Sequence, residues 1–193
     1  MRDAEYHLDF LEAALEELEN YLLSREVFWP VGAKRGFPSL TLGGLELSRT
    51  ALVAVKGELD PDSRRRSEEL EKRIETSRGK WRVAWERKAA AELTVRLNQW
   101  RAYLSELEER SGEAQQYSQE ARTRAMATYL VEAAGQAAEV RGLVATLAGL
   151  DARLRKSFRA GPFIWEQPLE ALYPPEPYWF LYGLPGSTEL AEV

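Results

Sequence analysis

The sequence contains no cysteine and only one histidine among its 193 residues. Without cysteine the chain has no disulfide bridge, no thiolate ligand for zinc and no cysteine nucleophile. The single histidine, His7, cannot form a histidine-rich metal site, and its place beside Leu8 on an acidic helix indicates a surface or helix-end residue. No serine has a second histidine-type base to activate it, so nucleophilic catalysis is poorly supported.

Phosphate-binding loops and long apolar runs are missing as well. The glycine pair in LTLGGLEL, residues 40–47, lacks the lysine and the spacing of a P-loop, and also the glycine spacing of a dinucleotide turn. No segment approaches the roughly 18 uninterrupted apolar residues of a membrane-spanning helix, and the acidic, amphipathic start is unlike a signal peptide. We therefore expect a cytoplasmic protein without cofactor or membrane association.

Carboxylates could bind a metal without help from histidine or cysteine. Three acidic pairs have the spacing that puts both residues on one helix face: Glu16/Glu19, Glu68/Glu71 and Glu106/Glu109. Each pair lies in a dense run of charges, which is typical of a solvated face with helical ion pairs. A metal-dependent enzyme with carboxylate ligands is thus kept as an alternative, while the expectation is a non-enzyme with no catalytic or metal-binding residues.

Apolar periodicity and helix breakers predict the order of the elements. Leucines spaced three and four residues apart predict a first helix over 3–25. Prolines and glycines in 26–43 indicate a connection, and a shorter helix is expected over 44–59. The DPD turn at 60–62 then starts a proline-free stretch, because Pro61 suits the first helical position.

Two long helices, over about 62–110 and 113–158, are predicted to follow, with a turn near 111–112. At about 1.5 Å per residue each is on the order of 70 Å long, and a short turn makes them an antiparallel hairpin. Two shorter helices beside this hairpin predict an all-α, four-helix-bundle-like fold. We expect one domain over 1–193, with a helical core over 3–158 and an irregular, aromatic- and proline-rich C-terminal arm over 159–193.

The upper half of the predicted hairpin, about 88–135, has more apolar side chains than two helices can bury. Either the first helix extends over this half or the half pairs with another chain. Both arrangements are compatible with the sequence.

The charge is unevenly distributed. Residues 1–60 have six basic and eleven acidic side chains, whereas 63–101 have twelve basic and six acidic ones. Five cations recur at one heptad position and form a basic ridge, which is a candidate surface for nucleic acid or another anion: Arg66, Arg73, Lys80, Arg87 and Arg101. The acidic first helix is the obvious internal counterpart, so neutralisation within the fold is the favoured interpretation.

Aromatic and proline residues concentrate in two segments, 27–38 and 161–186. The second holds seven of the twenty aromatic residues and six of the nine prolines, with no lysine or arginine. These segments are predicted to meet the tryptophans of the long helix in an aromatic cluster, or to form a partner surface: Trp29, Phe37, Trp81, Trp85, Trp165, Trp179 and Phe180. The favoured interpretation is a lid on the chain's own core, and the alternative is an arm that docks into a neighbouring chain.

The sequence thus favours a non-catalytic protein–protein interaction or scaffold protein that self-associates or binds a protein partner. A nucleic-acid-associated protein that uses the basic ridge is the first alternative, and the metal-dependent enzyme is the second.

Overall fold

Helices dominate the computed structural model, which describes residues 4–32, 36–109, 116–136 and 138–186. The longer ones are α1 (Ala4–Leu23), α2 (Leu42–Ala54), α3 (Pro61–Lys80), α4 (Arg82–Glu109), α5 (Tyr117–Ala133) and α6 (Ala138–Arg155). The all-α fold class is confirmed. The C-terminal arm adds a two-stranded antiparallel sheet that the sequence did not predict, formed by β1 (Phe158–Phe163) and β2 (Tyr182–Pro185). Between the strands lie two 3₁₀ turns, Gln167–Leu172 and Trp179–Leu181, and the short helix α7 (Pro175–Tyr178).

Side-chain caps explain where two helices begin. Thr41 Oγ1 accepts a hydrogen bond from Gly44 N at 3.0 Å, so α2 starts slightly earlier than predicted. It also ends earlier, at Ala54, and a 3₁₀ turn over Lys56–Glu58 follows. Asp60 caps α3 by accepting from the backbone N–H groups of the two residues after Pro61, which confirms the predicted helix start.

The first predicted long helix is interrupted by one residue. Trp81 separates α3 from α4 with φ −110° and ψ 29°, two residues after Gly79. The backbone hydrogen bonds continue across the break, because Trp81 N donates to Ser77 O and Trp85 N donates to Trp81 O. The interruption is therefore a local kink, and α3 and α4 together cover most of the predicted range.

The prediction of one continuous helix over 113–158 is wrong. Its second half turns back after Gly135, whose φ of +74° is left-handed and disfavoured for other residues. Arg124 of α5 pairs with Asp151 of α6, 27 residues away, so these parts of the two helices run side by side. The last predicted turn of this helix is instead the start of β1 at Phe158. The predicted turn at 111–112 lies outside the described residues.

Two compact units make up the chain. The first comprises Met1–Glu92 and Tyr129–Gly135, and the second comprises Leu93–Thr128 and Gln136–Val193. In the first unit α1 contacts both α2 and α3, around a core of large buried side chains: Leu8, Leu11, Leu18, Leu22, Leu42, Leu52, Leu70, Ile74 and Trp85. The expectation of a single domain over 1–193 stays a prediction.

The second unit has a core rich in aromatic rings, with Trp100, Tyr117 and Phe180 fully buried. Aliphatic side chains of α4 and α6, such as Leu104 and Leu154, complete it. Among the described helices of both units, none combines the length and the apolar composition that crossing a membrane requires.

Candidate interaction site

Two of the five cations of the basic ridge form ion pairs with the first helix. The guanidinium of Arg66 forms ion pairs with three carboxylates of α1: Glu5 (2.7 Å), Asp9 (3.1 Å) and Glu12 (3.0 Å). Hydrogen bonds to these carboxylates raise the pKa of Arg66, led by the bond to Glu12. Lys80 Nζ lies 3.2 Å from Glu19 and 4.8 Å from the centroid of the Trp81 ring. These contacts are the internal neutralisation that the charge distribution predicted.

The other ridge residues are placed differently. Arg73 and Arg87 are exposed, and neither forms an ion pair with any other residue that the structure describes. Arg101 belongs to the second unit, where its Nη1 donates to Asn98 Oδ1 at 2.6 Å. The first unit therefore contains four members of the ridge, of which Arg66 and Lys80 are paired and Arg73 and Arg87 are exposed. The fifth member, Arg101, lies in the second unit.

The predicted aromatic cluster is divided between the two units. Trp29, Phe37, Trp81 and Trp85 lie in the first, whereas Trp165, Trp179 and Phe180 lie in the second. Within the first unit, Trp29 Nε1 donates to Glu17 Oε2 at 3.1 Å, and Trp85 is buried in the core. Phe37 makes edge contacts with two rings of α1, Phe10 at 5.8 Å and Tyr6 at 5.6 Å between centroids.

In the second unit, eleven aromatic rings form one continuous network of contacts. Neighbouring centroids lie between 4.9 Å (Tyr173–Tyr178) and 6.4 Å (Trp100–Tyr117) apart. The members, from α4 to the arm, are Trp100, Tyr103, Tyr117, Phe158, Trp179, Phe180, Tyr178, Tyr173, Trp165, Phe163 and Tyr182. Edge-to-face geometry is common among them, as expected for favourable ring pairs.

Hydrogen bonds fix the C-terminal arm to its own chain. Tyr117 OH donates to Phe180 O at 2.6 Å, and Trp165 Nε1 donates to Ser118 O at 2.8 Å. Burial raises the pKa of Tyr117. The arm thus packs as a lid on α5 of its own chain. At the base of the arm, the Phe158 ring lies 6.3 Å from the Tyr117 ring between centroids, and β2 pairs back onto β1.

Three of the buried charged residues, none of which the sequence predicted to be buried, join different elements of the fold. Lys88 and Glu92 lie in the first unit, and Arg124 lies in the second; each is nearly or fully inaccessible to solvent. Arg124 makes a bidentate pair with Asp151, both bonds being 2.7 Å, and its guanidinium lies 4.6 Å from the Phe180 ring. A signal for the first two was available, because KAAAE is an alanine-rich stretch where charges are few. All three hold elements together within a unit.

A groove in the first unit was also not predicted. It has a volume of about 260 Å³ and lies between α2 with its 3₁₀ turn and α3. Its apolar lining comes from four buried side chains of three helices: Leu11, Leu52, Leu70 and Ile74. Val53 also lines it, yet 52% of this side chain is exposed, so Val53 projects from the rim.

Ion pairs that join α2 or its 3₁₀ turn to α3 form the rim of the groove. On one side Arg49 binds Glu71, with Nε donating to Oε2 at 3.0 Å. On the other side Lys56 Nζ lies 3.3 Å from Glu68 Oε1. Both Lys56 and Glu68 are more than half exposed, whereas Arg49 is largely covered. The rim charges are therefore paired within the chain and balanced, two basic against two acidic.

Further carboxylates surround Arg49 behind the rim. Its guanidinium also contacts Glu46 at 3.0 Å and Glu75 at 3.1 Å. Burial raises the pKa of Glu46; the Arg49 charge opposes this shift, and Glu71 adds to it. Arg49 occupies the centre of this group. Burial by itself would lower the pKa of Arg49, but the hydrogen bond to Glu71 and the charges of the surrounding carboxylates together outweigh burial and raise this pKa.

Three of the six acidic residues that the sequence offered as metal ligands form ion pairs with basic side chains. Glu19 pairs with Lys80, Glu68 with Lys56, and Glu71 with Arg49. Within the described ranges, no three acidic or histidine side chains converge in a way that could hold a metal ion.

Compared with known proteins, the chain matches no protein-family model, no curated protein and no solved structure, so its function has to be inferred from its own residues.

Proposed function

We propose that this protein is a non-catalytic protein–protein interaction or scaffold component that self-associates. The observation that supports this proposal is the groove between α2 and α3, with an apolar lining and a rim of ion pairs that are already satisfied. A surface of this kind gains free energy when apolar side chains cover it, because water leaves the lining and no buried charge loses its partner.

The helical frame gives this surface a fixed shape. α1 packs against α2 and α3 in a bundle-like arrangement, and Leu11 of α1 closes the bottom of the groove. Ion pairs from Arg49 and Lys56 to α3 then set the width of the groove. A rigid, preformed surface binds with a smaller entropic cost than one that must first become ordered.

The disposition of the buried charges also favours an interaction protein over an enzyme. Lys88 and Glu92 bind backbone groups next to helix ends, and Arg124 is saturated by Asp151 and Thr128. Catalytic sites place groups with perturbed pKa values in a cleft where substrate can reach them. The buried charges here face the protein's own backbone and carboxylates.

Sedimentation velocity over a range of protein concentrations in high salt tests the proposal. High salt suppresses weak electrostatic contacts between exposed charges, so an apolar association should persist. We expect a dimer or a larger species that dissociates on dilution. A strict monomer at every concentration, together with no co-purifying protein in a native pull-down, would contradict the proposal.

A further inference from the structure

We propose that the Arg49 cluster, which consists of Arg49, Glu46, Glu71 and Glu75, makes the contact between α2 and α3 sensitive to pH. Glu46 takes up a proton as the pH falls from neutral to mildly acidic, and α2 is then held more firmly against α3. This inference concerns the stability of the first unit and does not depend on the proposed self-association.

Three carboxylates share one guanidinium in this cluster. Arg49 Nη1 lies 3.0 Å from Glu46 Oε2, and Arg49 Nη2 lies 3.1 Å from Glu75 Oε1. Glu71 Oε2 accepts a hydrogen bond from Arg49 Nε at 3.0 Å. Arg49 and Glu46 belong to α2, whereas the other two carboxylates belong to α3. The cluster therefore joins the two helices and, with all its carboxyl groups ionised, has an excess of negative charge.

Glu46 is the carboxyl group on which this excess acts most strongly, because it is the least exposed of the three. Its side chain is 28% exposed, against 47% for Glu71 and 49% for Glu75. Burial and nearby like charges both disfavour an ionised carboxyl group, and a guanidinium cannot relieve the repulsion by titrating. The pKa of Glu46 is accordingly raised, first by burial and then by the charges of Glu71 and Glu75, while the charge of Arg49 opposes the shift.

Two further groups face Glu46 from the helices packed against α2. Arg78 of α3 favours the ionised form of Glu46, but less strongly than Arg49 does. Burial, together with the charge of Glu46, raises the pKa of Tyr129 of α5 to about 12, so this phenol is uncharged at neutral pH. Two cations thus face three carboxylates at neutral pH. Protonation of Glu46 leaves two cations against two carboxylates, which removes the excess negative charge.

Protonation of Glu46 stabilises the folded state over a defined range of pH. A carboxyl group whose pKa is raised by folding binds its proton more tightly in the folded chain than in the unfolded chain. Its contribution to stability is therefore complete below the pKa of an unfolded glutamate, about 4.3, and is lost as the pH rises through the higher pKa of the folded state. Asp60 and Glu108, whose pKa values are lowered, act in the opposite direction, mainly below about pH 4.5. The stabilisation by Glu46 should thus appear between neutral pH and about pH 5.

Urea denaturation of the full chain at about pH 7.5 and about pH 5.5, followed by circular dichroism, tests the proposal. Glu46→Gln resembles the protonated carboxyl group, so its urea midpoint at the higher pH should exceed that of the wild type. The rise in midpoint between the higher and the lower pH should be smaller in Glu46→Gln than in the wild type. Glu68→Gln is the matched control, because Glu68 also pairs across this contact, with Lys56, but is 57% exposed. It should keep the pH dependence of the wild type.

Comparison of the variant with the wild type isolates Glu46, because other titrating groups, such as Glu120 with its raised pKa, are common to both. A Glu46→Gln variant that kept the whole pH dependence of the wild type, or that was less stable at both pH values, would overturn the proposal. A titration of the wild type by carbon-13 NMR tests it without any substitution. The Glu46 carboxyl carbon should titrate above about 4.3, the pKa of an unfolded glutamate, and titration at or below this value would likewise overturn the proposal.

Discussion

Lys88 and Glu92 lie one helical turn apart on α4 and bind opposite ends of two other helices. Lys88 Nζ donates to the carbonyl oxygens of Ser24 (3.0 Å) and Glu26 (2.7 Å), just beyond the C-terminus of α1. The Glu92 carboxylate accepts from Gly43 N, with its Oε2 at 3.1 Å, in the first turn of α2. A cation thus faces a helix C-terminus and an anion faces a helix N-terminus.

One turn of α4, from Lys88 to Glu92, therefore contacts both ends of the connection between α1 and α2. The connection is itself closed by Trp29 and Leu40, which exchange two backbone hydrogen bonds of 3.1 and 2.7 Å. Because the ends of α1 and α2 are fixed to α4, the α2 side of the groove has a defined position in the first unit. The two buried charges therefore act as positioning residues for the end of α1 and the start of α2.

Substitution of Lys88 tests this role. Lys88→Met keeps the apolar stem but removes a charged donor from the buried carbonyl oxygens of Ser24 and Glu26. We expect the free energy of unfolding to fall by about 2–3 kcal/mol, as measured by urea denaturation followed by circular dichroism. Arg87→Met is the matched control, since Arg87 is exposed, and it should change stability by less than about 0.5 kcal/mol. Equal effects of the two substitutions would contradict the positioning role.

The first helices could be predicted because local rules determine them. The leucine spacing of α1 and the cap of α3 at Asp60 are decided by neighbours within a few residues, and both appear in the structure. The internal neutralisation of Arg66 was also foreseen, because opposite charge runs in one compact chain attract each other.

The turn at Gly135, the sheet of the arm and the groove could not be predicted, because they depend on contacts between residues that are far apart in the sequence. The turn at Gly135 lies in an alanine-rich stretch whose sequence predicts a continuous helix. The pairing of Arg124 with Asp151 shows that α6 instead folds back alongside α5. The sheet of the arm joins residues that are 19 positions apart (Phe163 and Tyr182) to 27 positions apart (Phe158 and Pro185), and no tight hairpin turn indicates this pairing in the sequence. The groove likewise requires side chains from three helices, so no local pattern indicates it.

The pair Arg124 and Asp151 is expected to matter most for the stability of the second unit. Asp151→Asn removes the countercharge of a buried guanidinium, and we expect a loss of about 3–5 kcal/mol in urea denaturation. The double variant Arg124→Met/Asp151→Leu removes both charges and should recover most of this loss. As a control, Arg153→Met breaks the more exposed pair with Glu108 and should cost about 1 kcal/mol or less. An Asp151→Asn variant as stable as the wild type would contradict this assignment.

The lid on the aromatic network gives a second stability prediction. Phe180 is fully buried and contacts both Trp179 and Tyr178, so Phe180→Ala should cost about 3–5 kcal/mol and expose apolar surface. Unfolding monitored by tryptophan fluorescence measures the cost. Leu184→Ala, at a position that is about half exposed, is the control and should have little effect. If the arm were a hook for a partner, Phe180→Ala would instead leave a stable monomer unable to associate.

A close backbone approach makes Gly183 a third test of the lid. Its φ of +144° is rarely adopted by other residues, and an added Cβ would overlap the carbonyl oxygen of Arg159 on the neighbouring strand. We therefore expect Gly183→Ala to separate β1 from β2 and to lower the melting temperature by several degrees. Gly149→Ala is the control, because an added Cβ there meets no atom within 4 Å and alanine favours the helix. A melting temperature unchanged by Gly183→Ala would show that the strand pairing contributes little.

Binding to polyanions separates the interaction proposal from the nucleic-acid alternative. Because α1 neutralises Arg66 and Lys80, we expect weak retention on heparin that is lost at moderate salt. The double variant Arg73→Ser/Arg87→Ser should remove the remaining retention. Conversely, the triple variant Glu5→Gln/Asp9→Asn/Glu12→Gln removes all three ion-pair partners of Arg66 on α1 and should strengthen retention. Tight, steeply salt-dependent binding of the wild type would favour the nucleic-acid alternative.

Alkaline pH should unfold the protein through its buried tyrosines. Burial raises the pKa of Tyr103 and Tyr129 to about 12 and that of Tyr117 in the same direction. Because the folded state holds these phenol protons more tightly than the unfolded state does, the stability they contribute is complete below the pKa of a tyrosine in the unfolded chain, about 10. This contribution is lost as the pH rises from about 10 towards 12. The free energy of unfolding should therefore fall over this range, with tyrosinate absorbance near 295 nm appearing together with loss of helix. Tyr117→Phe should weaken the dependence, and tyrosinate formed near pH 10 without loss of helix would contradict the burial of these rings.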